Sequence, residues 1–152
     1  MSNSTIRNEV EEWLLSDYLP EVFNQPFERR RVNLVTGGDY QFSAVSQDER
    51  IVGCISTSEA LTSSGKLGVG KLQKIRADML FLTLLKSCDK RLVVLTEQSM
   101  YDRMMKESEA GRVPSSIDFI LAEIPAALRT RLAAAQREAS DEMRPVATKR
   151  QS

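Results

Sequence analysis

The stretch "GGDYQFSAVSQDERIVGCISTS", residues 37–58, decides the fold. Gly37 and Gly38 followed by Asp39 are a turn signal. Tyr40, Phe42 and Ala44 then alternate with Gln41 and Ser43, the period of a strand with one buried face, until Val45 breaks the alternation. "QDER" (47–50) is polar enough to reverse the chain, and "IVGCIST" (51–57) opens a second strand. Upstream, "RRRVNLV" (29–35) runs as a strand into the same glycine turn. Three strands with connections this short are expected to pair as an antiparallel meander.

Outward from the meander, Ile6, Val10, Trp13 and Leu14 recur at helical spacing, with Ser4 or Thr5 placed to cap. "DYLPEVFNQPF" (17–27) holds two prolines and is expected to be an irregular, packed connection. Downstream, "KLQKIRADMLFLTLLKS" (71–87) sets Leu72, Ile75, Met79, Leu82 and Leu85 along one helical face. "RLVVLTE" (91–97) is a short continuous apolar run, suited to a strand covered on both faces. A helix over 98–112 with Gly111 near its end, a strand in 116–124 and an Ala-rich helix from Pro125 to about Met143 complete the pattern. The order predicts a single α/β domain over 1–143, with helices packed on a mixed sheet, and a disordered tail at 144–152.

With 152 residues, 41% hydrophobic and 28% charged, the chain has the composition of one soluble globular domain. No apolar run approaches the roughly 20 residues that span a bilayer. The start "MSNSTIRNEVEEW" lacks the basic-then-apolar pattern of a signal peptide, so a cytoplasmic location without membrane contact is expected. Two cysteines, Cys54 and Cys88, make no disulfide framework and have no metal-ligand spacing. Histidine is absent, which excludes His-based triads, His general bases and the common His-ligated zinc and iron sites. Any catalysis is left to carboxylates, Lys, Ser, Tyr or a hard metal held by oxygen.

The formal net charge is zero, so only its distribution is informative. Arg29, Arg30 and Arg31 are consecutive, and residues 60–77 carry Lys66, Lys71, Lys74 and Arg76 without one acidic residue. These seven cations are the candidate phosphate-contacting surface, with DNA as the expected partner. Within that segment, "SGKLGVGKLQK" (64–74) places Gly65, Gly70 and Lys71 at the spacing of a nucleotide-binding P-loop. The position that should offer a magnesium-binding hydroxyl is Leu72, and the preceding strand ends too far upstream. Glu97 is the one candidate for a second acidic partner. A glycine-bearing loop feeding a basic helix is expected here, without ATP or GTP binding.

The element order α-β-β-β-α-β, followed by α-β-α, resembles the restriction-endonuclease-like PD-(D/E)XK nuclease superfamily over residues 5–97. In that family an acid at the start of the second strand and an acid-x-lysine triplet on the third hold magnesium and polarise the attacking water. The resemblance implies that the first acid falls on Asp39, or on the position of Ser43, and that the triplet falls on Cys54, Ile55 and Ser56. Asp39 is then the candidate catalytic residue, and magnesium the implied cofactor only if a site survives. The triplet carries neither its acid nor its lysine. Lys71 or Lys74 is near enough in sequence to replace the lysine, and Asp48, Glu49 and Glu59 lie close to the missing acid. Glu11 or Glu12 occupies the first helix, where relatives sometimes place another carboxylate.

Together these readings lead to a nuclease-like, nucleic-acid-associated protein that is catalytically weak or inactive. A non-catalytic interaction or structural module on the same scaffold is the alternative, and nucleotide binding a third. The oligomeric state stays open, a homodimer included. Asp78, an acid within an otherwise apolar helix, is expected on its flank, near Lys74 or Arg76.

Overall fold

The computed structural model describes residues 2–61 and 68–142. Lys66, Gly65 and the tail at 144–152 lie outside the described residues. Five strands, Phe27–Asn33 (β1), Asp39–Ser46 (β2), Ile51–Ser56 (β3), Lys90–Leu95 (β4) and Ile117–Leu121 (β5), form one sheet in the order β1-β2-β3-β4-β5. β2 is antiparallel to β1 and β3, whereas β3, β4 and β5 are mutually parallel. The meander read from residues 29–57 is therefore present, and it leads into parallel crossovers through helices.

The helices are Ser2–Trp13 (α1), Leu19–Phe23 (α2), Val69–Thr83 (α3), Gln98–Glu109 (α4) and Ala126–Glu142 (α5). They cover both faces of the sheet and make two cores. On one side Leu72, Ile75, Met79 and Leu82 of α3 and Met100 and Met104 of α4 pack on Phe42, Val45, Val52, Cys54, Val93 and Leu95. On the other, Ile6, Val10 and Leu14 join Leu132 and Ala135 of α5 over Ala44, Ile51, Leu92 and Val94. β4, buried on both faces from Leu92 to Leu95, needs an unbroken apolar run, which is what its sequence supplies. Gly53 of β3 is required by close approach: a Cβ there would press on the backbone oxygen of Leu92 at 3.1 Å.

Two sequence expectations are corrected. Ala44 does not share a face with Tyr40 and Phe42; it faces the α1/α5 core, and Val45 faces the α3/α4 core with Phe42. The cause is a β-bulge. Glu28 pairs with Val45 but Arg30 with Phe42, so two steps of β1 match three of β2 and the alternation is reset. The "irregular connection" at 17–27 is instead largely helical, because a π-helical turn at Leu14–Tyr18 carries α1 into α2. Pro20 stands just after the π-helical turn, a place where the widened ring of hydrogen bonds tolerates a residue without N–H, and Asn24 in a left-handed conformation ends the helix.

Helix ends are closed by specific donors. Arg91 at the start of β4 donates from Nε to Leu82 O (2.8 Å) and from Nη2 to Leu85 O (3.2 Å), placing a cation on carbonyls at the C-terminal end of α3. α4 ends in a Schellman motif. Gly111, at φ +76°, lets its own N–H reach Ser108 O (3.0 Å) and that of Arg112 reach Glu107 O (2.9 Å). Among the described residues, no helix is long and apolar enough to cross a membrane.

Candidate functional site

The start of β2, the C-terminal half of β3 and α3 meet on one face of the sheet, and a polar cluster sits among their apolar contacts. Asp78 of α3 is 5% exposed. Its Oδ1 accepts from Tyr40 Oη of β2 (2.7 Å) and from Lys74 Nζ one helical turn away (2.7 Å). Tyr40 is held in place by stacking on Phe81 of α3, with ring centroids 4.0 Å apart and planes inclined by 7°. Burial raises the Tyr40 phenol, the Asp78 carboxylate adds to that, and the Lys74 ammonium opposes it. For Lys74, burial is the largest single influence and pulls downward, but the bond to Asp78, its charge and the Tyr40 phenol together outweigh it and the ammonium is favoured.

Cys54, where the resemblance places the triplet's acid, is buried at 3% exposure on the same face. Burial pushes its thiol well above the ordinary range, and the charge of Asp78 adds to the rise while Lys74 opposes it. α3 thus brings an acid and a lysine toward the position where β3 has neither. The sequence places Asp78 on the helix flank near Lys74 or Arg76; it pairs with Lys74 but is buried, and the partnership with Tyr40, 38 residues away, has no local signature.

The other candidates are dispersed. Asp39 is exposed at the start of β2, and its Oδ1 accepts from Arg31 Nη2 at 2.9 Å; that bond lowers the Asp39 carboxyl below its ordinary value. Arg29 holds Glu11 (3.0 Å) and Glu12 (2.6 Å), tying β1 to α1. Arg30 bonds Glu28 and Glu49, the latter at 2.9 Å. Every arginine of the triplet therefore carries a carboxylate partner. Lys71 is exposed in the first turn of α3, and Arg76 reaches across to Glu107 of α4. Gly70 and Lys71 of the P-loop-like spacing lie inside α3, and Leu72, at the hydroxyl's position, is a core residue.

Two groupings escaped the sequence reading. The first is a cleft of about 510 Å³ beyond the C-terminal ends of β4 and β5, lined by Glu59, Glu97, Ser99, Glu123 and Arg129 among others. Clefts at the carboxyl ends of parallel strands are the usual ligand sites of open α/β sheets. Glu97 is buried there and accepts from Arg129 Nη1 (2.6 Å) and Thr96 Oγ1 (2.9 Å), while Arg129 Nη2 donates to Thr96 O (2.6 Å). The second is Glu107, whose carboxylate is shared by Arg76, Arg103 and Arg112. Among the described residues, no three His, Cys, Asp or Glu side chains are grouped to hold a metal ion.

The Glu107 cluster makes a pH prediction. Hydrogen bonds from Arg112 and then Arg76 lower its carboxyl from 4.5 to about 2. Because the folded-state value is the lower one, the stability this group contributes is complete above about pH 4.5 and is lost as pH falls toward 2. The gap in melting temperature between the native chain and Glu107→Gln is expected to be full at neutral pH and to close across that acid window. A gap unchanged at its acid end would show that the carboxylate's charge is not what stabilises the cluster.

Comparison of the chain with protein-family models, with curated proteins and with solved structures found no match.

Proposed function

We propose that the chain is a non-cleaving domain of restriction-endonuclease-like architecture, used as an interaction module. The α-β-β-β-α-β order through β4, with a meander in its first three strands, supports the architecture. The observation that carries the loss of cleavage is the third strand itself. Cys54 is buried and Ile55 and Ser56 follow it, so the triplet offers neither a carboxylate oxygen for a hard cation nor a lysine for the attacking water. Asp78, the acid that α3 brings in, is already bonded to Tyr40 and Lys74, and Asp39 is turned to Arg31. These residues do not fit a magnesium ion.

Protein interaction is favoured over nucleic acid because the arginine triplet is engaged with carboxylates of its own chain. Nucleic-acid association is the second reading, and the exposure of Lys71 beside Gly70, within a segment free of acids, favours it. Contacts of that kind are weak, non-specific and steeply salt-dependent, each phosphate adding roughly 0.9 to the slope of log affinity against log salt.

Purified protein with magnesium or manganese is expected to leave plasmid and single-stranded DNA intact, and to cause no gel retardation at about 0.15 M salt. Cleavage abolished by Asp39→Ala or Asp78→Asn would overturn the proposal. Retardation at low salt that weakens when Lys66, Lys71 and Lys74 are replaced together by Ala would establish the second reading instead.

A further inference from the structure

Glu107 lies near the C-terminal end of α4, and three guanidinium groups converge on it. Arg76 of α3 donates from Nη2 to Oε1 (3.0 Å), Arg112 donates from Nε to Oε1 (3.0 Å) and from Nη2 to Oε2 (3.3 Å), and Arg103 Nη2 lies 3.1 Å from Oε2 as an ion pair. The Glu107 side chain is only 2% exposed, but the arginines that cover it retain 40%, 32% and 61% of their own exposure. One cation is enough to neutralise a buried carboxylate. Here three face one, leaving a net charge of +2 within hydrogen-bonding distance of a single group. Lys106 and Glu109, in the same last turns of α4, cancel each other and do not change that balance.

The cluster is held by backbone and packing. Arg103 and Glu107 are one turn apart on α4, and Arg76 is fixed by the packing of α3 on the sheet. Arg112 is returned over Glu107 by the Schellman motif, whose glycine permits the left-handed step at Gly111. Each guanidinium has five N–H groups. The hydrogen bonds to Glu107 consume one from Arg76 and two from Arg112, while Arg103 faces the same carboxylate as an ion pair. Three part-exposed guanidinium groups carrying excess positive charge, with unused N–H groups on Arg76 and Arg112, are suited to a tetrahedral oxyanion.

We propose that Arg76, Arg103 and Arg112 form a binding site for a phosphomonoester dianion, with Glu107 as the internal counter-ion that holds the three guanidinium groups in register. The charge decides the class: +2 is matched by a monoester dianion, whereas a nucleic-acid diester brings a single negative charge per phosphate. The site is separate from the β3 triplet and does not depend on the fate of catalysis. Two sources share this chemistry, free phosphate and a phosphorylated side chain.

Isothermal titration of the full chain with inorganic phosphate, with a neutral phosphoserine peptide and with dimethyl phosphate, at matched ionic strength in chloride and slightly alkaline pH, tests the proposal. Phosphate or the phosphopeptide is expected to bind with Kd of about 1 mM or tighter, and dimethyl phosphate about tenfold more weakly or not at all. Arg112→Gln is expected to weaken monoester binding about tenfold, and Arg76→Gln serves the same purpose if the first variant does not fold. Tighter binding of the peptide assigns the site to a phosphorylated partner, and tighter binding of inorganic phosphate to a free anion; either supports the site. Absence of binding by both monoesters overturns it, as does monoester binding that neither arginine variant alters. Equal binding of dimethyl phosphate overturns the monoester assignment and returns these arginines to nucleic-acid contact.

Discussion

Phe42→Ala is expected to destabilise the protein by about 3–5 kcal/mol, with the neighbouring Gln41→Ala within about 0.5 kcal/mol of the native chain. Phe42 is completely buried, between β2 and α3, and packs edge-on against Tyr40 with ring centroids 5.0 Å apart. Its removal costs the transfer of the ring and also leaves a cavity that the stacked Tyr40–Phe81 pair cannot fill without breaking the Tyr40 bond to Asp78. Gln41 points to solvent on the opposite face. Denaturant unfolding of the two variants, read at constant m, measures both differences. Equal losses would mean that β2 is not registered as described. The same comparison at Ala44 and Val45 tests the bulge: with the face reset there, both positions should be intolerant of a charged residue, although they are adjacent in sequence.

The meander, the two parallel strands and the long helices were legible because each rests on a local pattern. Polar turns close the strands, a period of two marks β2, and the face from Leu72 to Leu82 marks α3. Leu85, expected on the same face, lies beyond the helix end at Thr83 and bridges to Leu34. The errors lie where one residue changes the geometry. The bulge between Phe42 and Val45 adds a single step, which shows only as a broken alternation. The π-helical turn before Pro20 absorbs a residue that otherwise signals the end of a helix.

Site residues were less legible for a different reason. Asp78 could be singled out, since an acid among Ile75, Met79 and Leu82 is chemically out of place, but its partner Tyr40 comes from another element. Glu97 stands out in sequence only as a distant acid for a P-loop, and nothing local ties it to Arg129, 32 residues further on. The sequence shows Arg76 and the arginine triplet as a basic surface; the partners they take, Glu107 for Arg76 and Glu11, Glu12, Glu28, Glu49 and Asp39 for the triplet, come from the fold. A basic run in sequence states how much charge is present; only packing determines how much of it is left for a partner.

Arg129→Met is expected to cost about 2–4 kcal/mol, because it leaves the Glu97 carboxylate buried with the Thr96 hydroxyl as its one remaining side-chain partner among the described residues. The range is set below the largest values for broken buried pairs because Arg129 is itself 37% exposed, so solvent already screens part of the attraction. The loss has two components, the unpaired charge of Glu97 and the bond from Arg129 to Thr96 O (2.6 Å) that joins α5 to the end of β4. A double-mutant cycle separates them. If the charge dominates, the double variant Arg129→Met/Glu97→Leu recovers most of the stability, since an apolar pair of similar volume carries no desolvation penalty. If the double variant is as unstable as Arg129→Met, the tether to Thr96 is what matters, and the cleft is a structural joint between β4 and α5. Recovery would instead mark Glu97 and Arg129 as a costly buried pair that packing alone does not require, held at the carboxyl ends of the parallel strands where this fold class binds its ligands.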